Sequence, residues 1–148
     1  LGTSSRMLIY YFGTKEELLV QALSRQRPDI TAVFADITDA AALRERLWEF
    51  WRNNTTGPDA ISVKVMLQVL GAACAEHGPY AGYIQGAINV FVTALTERLR
   101  DIDGIDEPEI VATILISGLR GILQDRILTG DTERADRAAR RLIEQTVC

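Results

Sequence analysis

Histidine and cysteine are scarce in this chain of 148 residues: His77 is the single histidine, and Cys74 and Cys148 are the two cysteines. The cysteines stand far apart and without metal-type spacing. That argues against a disulfide framework or a zinc site and fits a reducing cytoplasm. With one histidine there is no Ser/His/Asp set, and neither paired carboxylates nor a glycine-rich phosphate loop stands out, so a small enzyme using His77 or Cys74 is the least favoured reading and no metal or cofactor is expected. His77 precedes Gly78-Pro79 and reads as a partner for a helix C-terminal dipole. Cys74, in an apolar run, reads as a small core residue, and Cys148 is given no role. No uninterrupted apolar stretch is long enough to span a bilayer, no signal peptide is visible, and no membrane partner is expected. Alternating strand patterns, repeats, low-complexity stretches and flexible linkers are missing as well.

What is present is an ordinary globular composition, with 47% apolar and 24% charged residues. The net charge of −4 excludes nucleic-acid binding by bulk electrostatics. The charge is uneven, however. Before Pro28 the basic residues are Arg6, Lys15, Arg25 and Arg27, against Glu16 and Glu17 alone. The excess acid lies in the body. The first residue is Leu1, inside the motif described below, and the expectation is that the natural chain begins upstream of it.

The apolar periodicity is helical almost throughout, so an all-α fold is expected. Ser4 can cap a short helix over 5–12, which Gly13 ends. Thr14 and Glu17 form a T-x-x-E capping box, followed by the stripe Leu18, Leu19, Ala22 and Leu23 up to Pro28. Residues 29–36 form a short helix or an irregular link. Asp39 caps a helix with the stripe Leu43, Leu47, Phe50 and Trp51. Thr55-Thr56-Gly57-Pro58 punctuates the chain. Residues 59–76 are apolar on most sides, which predicts a central, buried helix. After Gly78-Pro79 comes a long amphipathic helix with Tyr80, Ile84, Ala87, Ile88, Phe91, Leu95 and Leu99 on one face. Pro108 fits the first turn of the next helix, which carries Ile110, Ile114, Ser117, Gly118, Gly121, Ile122 and Asp125 and ends at Gly130. Asp131 caps a last helix with the stripe Ala135, Ala138, Ala139, Leu142 and Ile143.

The most informative stretch is residues 1–19, LGTSSRMLIYYFGTKEELL. A glycine turn, a small polar cap, a short helix, an aromatic pair ending in Phe and then x-x-Lys-x-x-Leu follow one another as Gly2, Ser4, Tyr11, Phe12, Lys15 and Leu18. This order and spacing resemble the second half of the helix-turn-helix of TetR-family transcriptional regulators and the start of the helix behind it. Ile9 departs from the pattern, where the family usually has Tyr. Small or polar residues suit the end of a recognition helix that enters the major groove, and Ser4, Ser5 and Arg6 stand there. Arg6 can read guanine edges or hold a phosphate. Leu8 and Phe12 can anchor the helix. Tyr10, Tyr11 and Lys15 lie toward its far end, where the resemblance implies contacts to operator DNA. Without the resemblance, Arg6 and Lys15 read as solvated surface charges. The helices that would hold a recognition helix in place precede Leu1 in the family pattern, so this chain alone is expected to bind DNA weakly.

The resemblance implies a remnant of a helix-turn-helix domain over residues 1–27 and an effector-binding and dimerising helical domain over 28–148. It further implies a cavity for a small apolar effector among the middle helices. Candidates are Trp48 and Trp51, Met66 and Leu70, and Tyr83 and Phe91, with Gln68 and Asn89 as amides inside apolar segments. The bland alternative is that the aromatics are core. The family pattern also pairs the last two helices with their copies across a two-fold axis. Gly118 and Gly121 would mark the close approach, with Ile122, Asp125 and Leu142 in the seam; Asp125 and Arg126 can pair across it. Alternatively the penultimate helix is a core helix. Together these imply a cytoplasmic homodimeric regulator, a repressor in the first instance, released from its operator by the effector. The alternative is a helical small-molecule-binding module without a DNA role.

Overall fold

The computed structural model describes residues 7, 13–25, 29–75 and 78–147. Among them are six helices and one isolated helical turn, with no strand. The helices are α1 (Lys15–Arg25), α2 (Ala40–Thr55), α3 (Ala60–Ala75), α4 (Pro79–Arg100), α5 (Pro108–Thr129) and α6 (Thr132–Thr146), and the turn is Ile30–Val33 between α1 and α2. The proposed helix over 5–12, the end of α1 near Pro28, and His77 and Cys148 lie outside the described residues.

The helix starts follow their capping residues. Thr14 and Glu17 close the box ahead of α1: the Glu17 amide donates to Thr14 Oγ1 at 3.1 Å and the Thr14 amide to Glu17 Oε2 at 2.8 Å. Asp39 accepts from the Ala42 amide at 2.8 Å, and Asp131 from the Arg134 amide at 3.1 Å. Asp29 does the same for the single turn, accepting from Ala32. Gly130 ends α5 at φ 72°, a left-handed conformation that glycine adopts without strain. Glu107, which starts α5, takes a left-handed φ of 50° without that exemption.

Helix α4 is the central element. It packs against α5, α3, α1 and the Ile30–Val33 turn, while α2 closes the body against α3 and α6. The core contains Ile30 and Phe34 from the turn region, Leu43, Leu47 and Trp51 from α2, Leu95 and Leu99 from α4, Ala112, Leu115, Leu119 and Leu123 from α5, and Ala135, Ala139 and Ile143 from α6. The stripes expected on α2 and α6 thus face inward, with Phe50, Ala138 and Leu142 partly buried at their margins.

Two expectations are overturned. Helix α3 is not buried all round: Val63 and Val69 are covered, but Ile61 is 79% exposed, and Cys74 is exposed rather than a core residue. The reason is positional. α3 lies against α2 and α4, and among the described residues no further helix packs closely on its outer side, where apolar residues such as Ile61 stay exposed. The second concerns the apolar outer surface that a two-fold seam on both of the last two helices needs. Helix α5 has it, and α6 does not. The outer side of α6 carries Arg134, Arg137, Arg141 and Glu144, all exposed.

Candidate functional site

Two cavities border α2. The first, about 280 Å³, lies between α2 and α6 and is lined by Ala41, Arg44, Glu45, Trp48, Arg140, Ile143 and Glu144. Its charged residues include each sign twice. Arg140 stacks its guanidinium over the Trp48 ring, 4.1 Å from the centroid, and Arg44 donates to the Val147 carbonyl at 2.8 Å. Both arginines therefore act in closing α2 on α6.

The second cavity, about 250 Å³, lies where the end of α2, the start of α3 and the last turns of α5 meet. It is lined by Asn54, Thr55, Ala60, Lys64, Leu123, Arg126 and Ile127. Here the charges have one sign. Arg126, with a side chain only 13% exposed, uses its Nε on Asp136 Oδ1 at 3.2 Å. That same carboxylate oxygen accepts the Trp51 indole N–H at 2.9 Å. The cavity wall is thus tied through Arg126 and Asp136 to a core tryptophan.

Comparison with family models, curated proteins and solved structures finds no match to this chain.

The sequence-derived effector residues are dispersed. Trp48 lines the α2–α6 cavity beneath Arg140. Trp51 is core, at 2% exposure. Phe91 meets Phe50 edge-on, ring centroids 5.7 Å apart, at the margin of the core. Met66, Leu70 and Tyr83 are partly buried. Gln68 and Asn89 are exposed, so neither amide lies in an apolar pocket. The second cavity was not legible in the sequence, because Lys64 reads as an interruption of an apolar helix and Arg126 as a partner in a dimer seam.

Of the DNA-contact candidates, Ser4, Ser5, Arg6, Tyr10 and Tyr11 lie outside the described residues. Lys15 is exposed at the first position of α1, without an ion pair among the described residues.

The interface candidates separate into two groups. Gly118 is filled from within the chain: a Cβ there would sit 2.5 Å from Leu142 Cδ2, so the close approach it permits is that of α5 to α6. Ile122 packs against the core, and Leu142 lies against α5. Asp125 pairs with Arg134 at 2.7 Å, and Arg126 with Asp136, both within the chain rather than across a seam. Gly121 is different, because nothing lies within 4 Å of a Cβ placed on it. It shares a helix face with Ile110 (53% exposed), Ile114 (47%), Ser117 and Leu128 (77%), opposite the buried Ala112, Leu115, Leu119 and Leu123. Helix α5 is therefore apolar on two opposite faces, and one of them is bare.

Proposed function

We propose that this chain is part of a TetR-like transcriptional regulator, a repressor that dimerises and leaves its operator when a small, largely apolar effector binds. The observation that carries the reading is the ordered series Gly2, Ser4, Tyr11, Phe12, Lys15 and Leu18, running into a helix opened by the Thr14–Glu17 box. The arrangement around it is compatible. An all-helical body follows the motif, its penultimate helix keeps a bare apolar stripe, and a cavity lined by Lys64 and Arg126 lies between α2, α3 and α5. A homodimer would cover that stripe, since an isologous interface presents one patch twice. Effector binding would favour one spacing of the two recognition helices over the other and so shift a two-state equilibrium.

The test is enrichment of double-stranded sites from a random DNA pool, using the product of the complete reading frame. A palindromic site is expected. Lys15→Ala should weaken binding to all sequences alike and flatten the salt dependence by about one unit of slope, as a lost phosphate contact does. Arg6→Ala should weaken the selected site more than random DNA. If no duplex is enriched over competitor DNA, the regulator reading fails and the small-molecule-binding module without a DNA role takes its place.

A further inference from the structure

The cavity between α2, α3 and α5 has the chemistry of a receptor for a small organic anion. Its cationic lining consists of Lys64 and Arg126, and among the described residues no acidic one lines it. Lys64 has no ion pair among the described residues. Arg126 is mostly buried, and only its Nε is engaged, on Asp136. Its terminal nitrogens have no acceptor among the described residues and remain reachable from the cavity, so they can take one from a ligand. The other polar groups in the wall are already committed as donors: Asn54 Nδ2 donates to the Phe50 carbonyl at 2.7 Å, and the Thr55 hydroxyl to the Trp51 carbonyl at 2.9 Å. Beside the cations, on the same helices, Ala60, Leu123 and Ile127 supply apolar wall. A volume of about 250 Å³ equals that of about eight liquid-water molecules, enough for one ring or a short chain but not for a drug-sized ligand.

We infer that this cavity binds a monocarboxylate with a compact apolar body, its carboxylate held between Arg126 and Lys64 and its body against Leu123 and Ile127. A carboxylate matches the planar fork of arginine, and lysine adds a second charge-assisted donor. The ligand then shares the Arg126 guanidinium with Asp136, which also accepts the Trp51 indole N–H, so the site is joined to the contact of α2 with α6. This deepens the effector part of the regulator reading, but the binding it describes is a property of the cavity alone.

Calorimetric titration of the chain with cyclohexanecarboxylate, cyclohexanecarboxamide and inorganic phosphate separates the contributions. The carboxylate is expected to bind, with the amide and phosphate each at least about tenfold weaker, because one lacks the charge and the other the apolar body. Lys64→Gln, a surface change whose melting temperature should match wild type, should weaken the carboxylate about tenfold. Arg126→Lys, which keeps the charge but loses the fork, should weaken it as well. Equal binding of acid and amide, no binding of the acid, or unchanged affinity in Lys64→Gln overturns the proposal. Carboxylate binding without any change in DNA affinity would uphold the cavity while removing the regulator reading. Operator release by neutral apolar compounds, with no carboxylate binding here, would do the reverse.

Discussion

Trp51 shows how much one residue holds together. Its ring lies in the core at 2% exposure, and its indole N–H reaches Asp136, 85 positions along the chain. Asp136 also accepts from Arg126, so one carboxylate joins α2, α5 and α6. Trp51→Phe keeps most of the apolar volume but leaves Asp136 with a single donor. Since a hydrogen bond to a charged group contributes about 2 kcal/mol, the variant should lose about that much in urea unfolding; a loss below about 0.5 kcal/mol would mean that water replaces the indole. Single residues were legible in the sequence where the physics is local. Asp39, Asp131 and the Thr14–Glu17 pair act within three positions of themselves, and each was identifiable as a cap from its neighbours. The Trp51–Asp136 bond depends on two helices meeting far apart in the chain, and no local pattern encodes it.

Helices were legible as elements because their apolar period is 3.6 residues and their caps mark the ends, but which faces would be covered was only partly legible. In α2 and α6 one face is apolar and the rest polar, so the inward side is unambiguous. In α3 and α5 several faces are apolar. Periodicity then cannot separate the covered side from the bare one, which is why α3 was expected to be central and why Gly118 and Gly121 were placed on one seam. Gln68 and Asn89 misled for the same reason. A polar residue in an apolar helix can mark a lined pocket or the solvent side, and here it marks the solvent side. The caps give these elements a pH dependence. The Ala42 amide on Asp39, and the Arg134 amide and guanidinium on Asp131, hold both carboxyls below the ordinary carboxylate range. A group whose folded pKa is depressed stabilises above its unfolded pKa and loses that contribution as pH falls through the folded one. The melting temperature should therefore fall between pH 5 and about pH 3. The double variant Asp39→Asn/Asp131→Asn, which keeps neutral caps, should fall less over that interval. Identical pH profiles for the two proteins would show that the caps do not contribute.

At the scale of the whole molecule, the bare stripe of Ile110, Ile114, Gly121 and Leu128 is the feature a monomer leaves unresolved. Exposed large apolar residues aligned on one helix face mark a contact surface more often than chance. Sedimentation equilibrium should show a dimer at micromolar concentration. Gly121→Arg should dissociate it without unfolding the protomer, because the position is open in the single chain and an arginine there would bury an unpaired charge only in the dimer. A monomeric wild type, or a Gly121→Arg protein that stays dimeric, would place the contact elsewhere or remove it. The way α2 is fastened also sets an order of assembly. Helices α3, α4 and α5 pack on their immediate successors, and Gly130 and Asp131 alone separate α5 from α6. The bonds from α2 to the far end of the chain, Trp51 to Asp136 and Arg44 to Val147, close loops of 85 and 103 positions. Closing such a loop costs about 2 kcal/mol more than closing one of ten residues, so these contacts form after the local ones have compacted the chain. By loop length alone, the contacts of α2 with α6 should form later than its contact with α3, and the closing of α2 on α6 should be among the later steps of assembly.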